Sequence, residues 1–242
     1  MLATKVAYYY LCSMKFNPKA LFFDWDHTLW DHDRNAKEVI FDLLTEFNIP
    51  LAVNKSMEDL WSIFHHLNDQ IWNEYQLGQI SQQTLRETRF IRFFQSVNFD
   101  GSAKEFSEQF LYRTPRKTHV FDGVHELIPE LAQRYPLDIL TNGFDDIQHV
   151  KVAGTGLSPY FQSIITSEMA GAKKPDSRFF TYALDMASCE AHEVVMIGDH
   201  PIFDIQGAEN VGIPAIHVDY QQKFAVSPNR IQAIQELKTY LI

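Results

Sequence analysis

Four short stretches hold the residues best equipped for chemistry. Asp24-Trp-Asp26-His-Thr28 sets two carboxylates two residues apart with a hydroxyl after them. Thr141-Asn142-Gly143 offers a hydroxyl beside a residue without a side chain, Lys174-Pro175 an ammonium, and Gly198-Asp199-x4-Asp204 two further carboxylates. Singly, each has a plain structural reading, because Asp after a strand caps helices and Thr-Asn-Gly makes turns. As a set they put four carboxylates, two hydroxyls and an ammonium at the ends of successive elements. Carboxylates gathered this closely repel unless a cation sits among them. Mg²⁺ suits such a site, since it takes hard oxygen ligands and shares them with phosphate.

The elements that must position these groups can be read from the apolar runs. Ala20 to Asp24, Leu137 to Leu140, Ser163 to Thr166, Val194 to Ile197 and Ala215 to Val218 are short and lack alternation. Strands covered on both faces have this composition. Helical patterns lie between them, over Val124–Tyr135, Asp145–Val152, Arg178–Met186 and Asp204–Asn210, and a last one over Ile231–Leu241. Strand and helix in regular succession predict an α/β fold with a doubly wound parallel sheet. Such sheets bind ligands at the carboxyl ends of their strands, where the four stretches fall.

The region 33–115 reads differently. Leu60, Phe64, Leu67, Ile71 and Tyr75 step along one helical face, and Ser81 caps a second pattern through Leu85, Arg89 and Phe93. A helical insertion over 33–115 therefore interrupts a core formed by 14–32 and 116–242. Residues 1–13 lack a small-residue cleavage site and read as an extension before a start at Met14.

The net charge of −10 on 242 residues disfavours a nucleic-acid polymer as partner. No apolar run is long enough for a membrane span. Two cysteines, Cys12 and Cys189, argue against a disulfide framework and fit a reducing, cytoplasmic setting.

Asp24-x-Asp26-x-Thr28, Thr141, Lys174 and Gly198-Asp199-x4-Asp204 together resemble the four motifs of the haloacid dehalogenase superfamily of phosphohydrolases, over residues 20 to about 218. The helical insertion is similar to that superfamily's C1-type cap on its Rossmann-like core. Trp72-x-x-Tyr75-x-x-Gly78-x-Ile80-Ser81, Thr141-Asn142-Gly143-Phe144 and Ser167-Glu168-x-x-Gly171-x-x-Lys174-Pro175 resemble segments of its pyrimidine and non-canonical nucleotide 5′-nucleotidases.

The resemblance implies a Mg²⁺-dependent phosphomonoesterase acting through an aspartyl-phosphate. Asp24 would be the nucleophile. Asp26 would be the acid and then the base, its pKa raised by acidic neighbours. Mg²⁺ would be held by Asp24, the Asp26 carbonyl and Asp199, with Asp204 in or near the metal shell. Lys174, Thr141 and backbone N–H groups near Asn142 and Trp25 would bind phosphate. A cap of this kind would close over the site and select the substrate.

The expected substrate is a small phosphorylated metabolite, with nucleoside 5′-monophosphates ahead of sugar or organic-acid phosphates such as phosphoglycolate. A phosphomutase, a 2-haloacid dehalogenase and a phosphate-binding module without turnover are further alternatives. Asp26 speaks against halide release, which needs no proton. Trp72, Tyr75, Phe90 and Phe94 read as helical core more readily than as base-stacking groups, and Arg89 as a solvated helix face. His27, His32 and His200 match no zinc spacing. The chain is expected to be a monomer or homodimer.

Overall fold

The computed structural model describes residues 15–224 and 229–242. The proposed extension over 1–13, Met14 and Cys12 lie outside the described residues. The chain divides into two compact units, one formed by residues up to 32 together with 118–242, the other by 33–117.

The first unit opens with β1 (Ala20–Phe23). The helical unit follows with α1 (His32–Glu46), α2 (Ile49–Val53), α3 (Met57–Gln76), α4 (Gln82–Ser96) and α5 (Ala103–Arg113). Ser56, Ser81 and Ser102 start α3, α4 and α5, each hydroxyl accepting from the backbone N–H three residues on. That bond satisfies a donor the helix itself leaves unpaired. Between the helices lies an aromatic core in which Phe64 stacks on Phe90 at 5.3 Å and Phe90 meets Phe106 at 4.9 Å. Phe90, Phe94 and Tyr75 are buried in this unit. The buried stripe of α3 runs through Leu60, Phe64, Asn68, Ile71 and Tyr75, so Asn68 takes the place expected of Leu67.

The chain then continues through α6 (Val124–Ala132), β2 (Leu137–Thr141), α7 (Asp145–Gly154), β3 (Ser163–Thr166), α8 (Ser167–Ala170), α9 (Ser177–Ala187), β4 (Val194–Gly198), α10 (Gly207–Glu209), β5 (Ala215–Val218) and β6 (Arg230–Ile231). The strands form one parallel sheet in the order β3-β2-β1-β4-β5-β6. Leu21 and Phe23 pack into a cluster with α6, while Ala20 and Phe22 pack on the opposite face with α9. Both faces of β1 are thus covered, which is why its sequence shows no alternation. The strand order reverses between β1 and β4, so the crevice of this sheet opens beyond their carboxyl ends.

Two expected helices take other forms. Residues 231–241 hold the end of β6 and a 3₁₀ turn over Ile234–Thr239. Backbone bonds from His217 to Asn229 and from Asp219 to Ile231 draw this segment into the sheet. A two-residue strand has no periodicity to read. The turn expected at Asp204–Asn210 begins earlier, as a widened π-type turn over Pro201–Gln206 in which Ile205 N donates to His200 O at 3.3 Å. The Asp204 carboxylate accepts from His200 N at 3.0 Å and shapes its first turn.

Among the described residues, no helix is long and apolar enough to cross a membrane.

Candidate active site

The chain leaves β1 at Asp24, whose N–H donates to Ile197 O at 2.8 Å. The nucleophile candidate therefore keeps sheet geometry one residue past the strand. The backbone then folds tightly: Leu29 and Trp30 N–H both reach Trp25 O at 2.9 Å, and His27 adopts a left-handed conformation at φ 65°. This turn brings the Thr28 hydroxyl back to Asp24 Oδ2 at 3.2 Å and Asp199 Oδ1 at 3.3 Å.

Lys174 arrives from the loop before α9 and is almost completely buried. Its ammonium donates to Asp24 Oδ1 at 2.7 Å, Asp204 Oδ1 at 2.6 Å and Leu140 O at 2.7 Å, which uses all three protons. Asn142 fixes the Lys174 backbone with a reciprocal pair: its Nδ2 donates to Lys174 O at 2.9 Å, and its Oδ1 accepts from Lys174 N at 2.8 Å. The Asn142 side chain thus supports the Lys174 backbone. Gly198 ends β4 where a Cβ would lie 2.5 Å from the Asp204 side chain, so no larger residue allows Asp204 to approach.

Ligand atoms of Asp24, Asp199 and Asp204 lie within 4.8 Å of one another. Burial pushes Asp24 well above the usual carboxylate range; Lys174 opposes this and Asp204 and Asp199 reinforce it. Burial, then the Asp204 charge, pushes Asp199 up to about 8. Burial works against the Lys174 charge too, but Asp204 and Asp24 hold it protonated. Three carboxylates around one ammonium leave an excess of negative charge that a hard divalent cation would neutralise. Asp204 has both oxygens committed, to Lys174 and to His200 N, whereas Asp24 Oδ2 and Asp199 Oδ1 accept from the Thr28 hydroxyl, at 3.2 and 3.3 Å. The donor set fits Mg²⁺, with Asp24 and Asp199 as the natural ligands.

Asp26 departs from expectation. Its partners are cationic or neutral rather than acidic: Lys151 Nζ donates to Oδ1 and Gln148 Nε2 to Oδ2, both at 2.6 Å, and His32 Nδ1 stands 3.4 Å from Oδ1. Burial opposes its charge, yet Lys151 and His32 hold Asp26 far below the usual carboxylate range. Among the motif carboxylates, those whose pKa rises are Asp24 and Asp199 instead.

Thr141 ends β2, its hydroxyl accepting from Gly143 N at 3.0 Å and from Gln148 Nε2 at 3.1 Å. Gln148 and Lys151 went unrecognised in the sequence. With Val152 they form the buried stripe of α7, at i, i+3 and i+4. Polar residues at core spacing directly after a strand-end motif were the available signal.

Arg89 is also unlike its sequence reading. It is buried in the helical unit, with Nη1 donating to Asn68 Oδ1 at 3.3 Å. His200 serves as an N-cap, its Nδ1 accepting from Ile202 and Phe203 N–H.

A sequence profile of the haloacid dehalogenase-like hydrolases matches residues 21–218. The pyrimidine 5′-nucleotidase PynA of Streptococcus pneumoniae is 32% identical over 200 residues, 82% of each chain. The pyrimidine 5′-nucleotidase YjjG of Escherichia coli is 27% identical over 226 residues, 91% of this chain and 96% of its own. Among solved structures, the HAD hydrolase YfnB of Bacillus subtilis, bound to magnesium, superposes with a TM-score of 0.84 at 24% identity, covering 92% of this chain and 98% of its own.

Proposed function

Because the chain belongs to the haloacid dehalogenase-like hydrolases, we propose that it hydrolyses phosphomonoesters of small metabolites, with nucleoside 5′-monophosphates as the substrate class. The observation that carries this reading is Asp24: a buried carboxylate at the reversal point of the sheet, gripped by Lys174 at 2.7 Å, with a second aspartate two residues on. The pyrimidine nucleotidases PynA and YjjG, similar over most of the chain, support the nucleotide as substrate.

In this reading Asp24 Oδ2 attacks phosphorus. The P–O bond to the leaving alcohol breaks, and an aspartyl-phosphate forms on Asp24. Asp26 takes up a proton from solvent before the transfer and gives it to the departing oxygen; the proton it later takes from water recharges it for the next turnover. In the hydrolytic half Asp26 acts as it rests, as a carboxylate that accepts a proton from the attacking water. Inorganic phosphate leaves and Asp24 is restored. Lys174 keeps Asp24 aimed and offsets the charge of the phosphoryl group. The Thr141 hydroxyl and the N–H groups of Asn142 and Trp25 receive phosphate oxygens. Mg²⁺, held by Asp24, the Asp26 carbonyl and Asp199, would neutralise charge on the transferring group. Asp204 would act from behind, by fixing Lys174.

Hydrolysis rates across a panel of phosphorylated metabolites with Mg²⁺ test the reading. Pyrimidine monophosphates should rank among the best substrates, and Asp24→Asn should be inactive while keeping the wild-type circular dichroism. Preference for phosphoglycolate or a sugar phosphate would move the substrate assignment. A wild-type protein inactive on every phosphomonoester would overturn the proposal altogether.

A further inference from the structure

We propose that α7 is a positioning element for Asp26, and that Lys151 and Gln148 are the residues through which it acts. The inference rests on the acid–base reading of Asp26 given above.

Each oxygen of the Asp26 carboxylate has its own donor from α7, Lys151 on Oδ1 and Gln148 on Oδ2. Two donors from one rigid helix fix both the position and the plane of the carboxylate, which a single bond leaves free to rotate. Gln148 Nε2 also reaches the Thr141 hydroxyl at 3.1 Å, so one amide ties the acid–base candidate to a phosphate-binding candidate on another strand. A proton donor for the leaving oxygen and a hydroxyl for a phosphoryl oxygen are thereby held at a set separation.

Stability alone gives little reason for this arrangement. Gln148 and Lys151 are 1% and 5% exposed, at stripe positions where a helix ordinarily places Leu or Val. A buried ion pair recovers its desolvation cost only with good geometry, and apolar replacements are often as stable. Here the geometry is good: the Lys151 ammonium also lies 4.3 Å from the centre of the Trp30 ring. The neighbouring loop is shaped for the same purpose. A Cβ on Gly143 would fall 1.8 Å from Gln148 Nε2 and 2.6 Å from its Cδ, so the absence of a side chain at 143 is what admits Gln148.

Lys151 and Gln148 are positioning residues, acting through Asp26. The leaving group provides the diagnostic. An alkyl phosphate such as uridine monophosphate needs a proton on its departing oxygen; p-nitrophenyl phosphate needs little help. Single-turnover measurement of the phosphoryl-transfer step with both substrates separates the cases. For Lys151→Met, transfer from uridine monophosphate should slow about 100-fold with KM within about threefold of wild type, although loss of the ammonium makes Asp26 easier to protonate, and transfer from p-nitrophenyl phosphate should slow far less. Lys151→Arg should recover part of the rate. Gln148→Leu and Gly143→Ala should each cost about tenfold with the same leaving-group bias. They also serve as tests should Lys151→Met fail to fold.

Asp26→Asn is measured alongside. The double variant Asp26→Asn/Lys151→Met should be no slower than Asp26→Asn alone, because Lys151 acts on the reaction through Asp26. Equal losses for both leaving groups, or strictly additive losses in the double variant, overturn the positioning role. If Asp26→Asn itself transfers phosphate from uridine monophosphate at the wild-type rate, the acid–base reading fails instead, and the two failures are distinct.

Discussion

The two units bury cations in opposite ways. In the α/β unit Lys174 is enclosed by Asp24, Asp204 and the Leu140 carbonyl, and Lys151 by Asp26 and the Trp30 ring. In the helical unit Arg89 is as deeply buried, at 6% exposure, but its nearest acceptor is the neutral Asn68 amide, and the Phe110 and Phe90 rings lie 4.9 and 5.3 Å from its guanidinium carbon. Its Nε is buried without a hydrogen-bond partner. Burial, and then the Arg86 charge, lowers its pKa to about 10. Where the sheet gathers carboxylates, a buried cation is the complement of an anionic cluster. Among the packed rings of the helices it is tolerated by π-faces and one amide. Equal burial therefore does not mean equal electrostatic cost.

The comparison can be tested first at its strongest point. Lys174→Met removes the cation from the carboxylate cluster, and activity should fall about 10³-fold. Loss of one partner of a buried pair should also cost about 3–5 kcal/mol in urea unfolding at pH 8. A variant that unfolds at the wild-type urea concentration would show that Lys174 is no counter-charge.

A second test uses pH. The raised pKa of Asp199, about 8, and of Asp24 means that the folded protein binds protons the unfolded chain releases. The contribution of Asp199 to stability is fully present below about pH 4 and is lost as pH rises through about 8, and Asp24 acts in the same direction. Asp26, with its lowered pKa, contributes stability that is present above about pH 4 and lost only on acidification. Metal-free protein in EDTA should thus melt at a lower temperature at pH 8 than at pH 5. Mg²⁺ should raise the midpoint by several degrees at pH 8 and by less at pH 5. An equal shift at both pH values would place the ion away from these carboxylates.

Arg89→Met should reverse the sign. Removing a charge that lacks a carboxylate should stabilise by about 1–2 kcal/mol, a rise of roughly 2–8 °C in the melting midpoint. A fall would mean that the Asn68 bond and the ring contacts outweigh the desolvation of the charge. The smallest effect belongs to the half-buried pair Arg92–Glu74, joined at 2.7 and 2.9 Å. Arg92→Ala should leave the midpoint within the scatter of replicate melts, since solvent screens such pairs.

The same contrast explains what was legible in the sequence. The five longer strands were readable because a doubly covered strand is an unbroken apolar run, and the motif residues were readable because they follow those runs directly. Asp24, Lys174, Asp199 and Asp204 do meet in space. What stayed hidden was polar chemistry inside helices. Gln148, Lys151 and Arg89 belong to residue types that ordinarily mark the solvent face, and only the fold shows that they point inward. The environment of Asp26 differs from the expectation for that reason: its sequence neighbours are acidic, whereas the donors at 2.6 Å from its two oxygens come from a helix more than 120 residues away. The π-type turn at Pro201–Gln206 escaped because one extra residue in a turn hardly alters the pattern.

The bond from Asp24 N–H to Ile197 O has a consequence on a different timescale. Leu21, Phe22 and Phe23 just before it are fully buried, and both neighbouring strands are paired to β1. An amide so placed exchanges its hydrogen with solvent only when the whole sheet opens, not when a loop breathes. The candidate nucleophile is thus as persistent as the most protected strand of the protein. Its side chain is placed for chemistry while its backbone keeps the slow clock of the core.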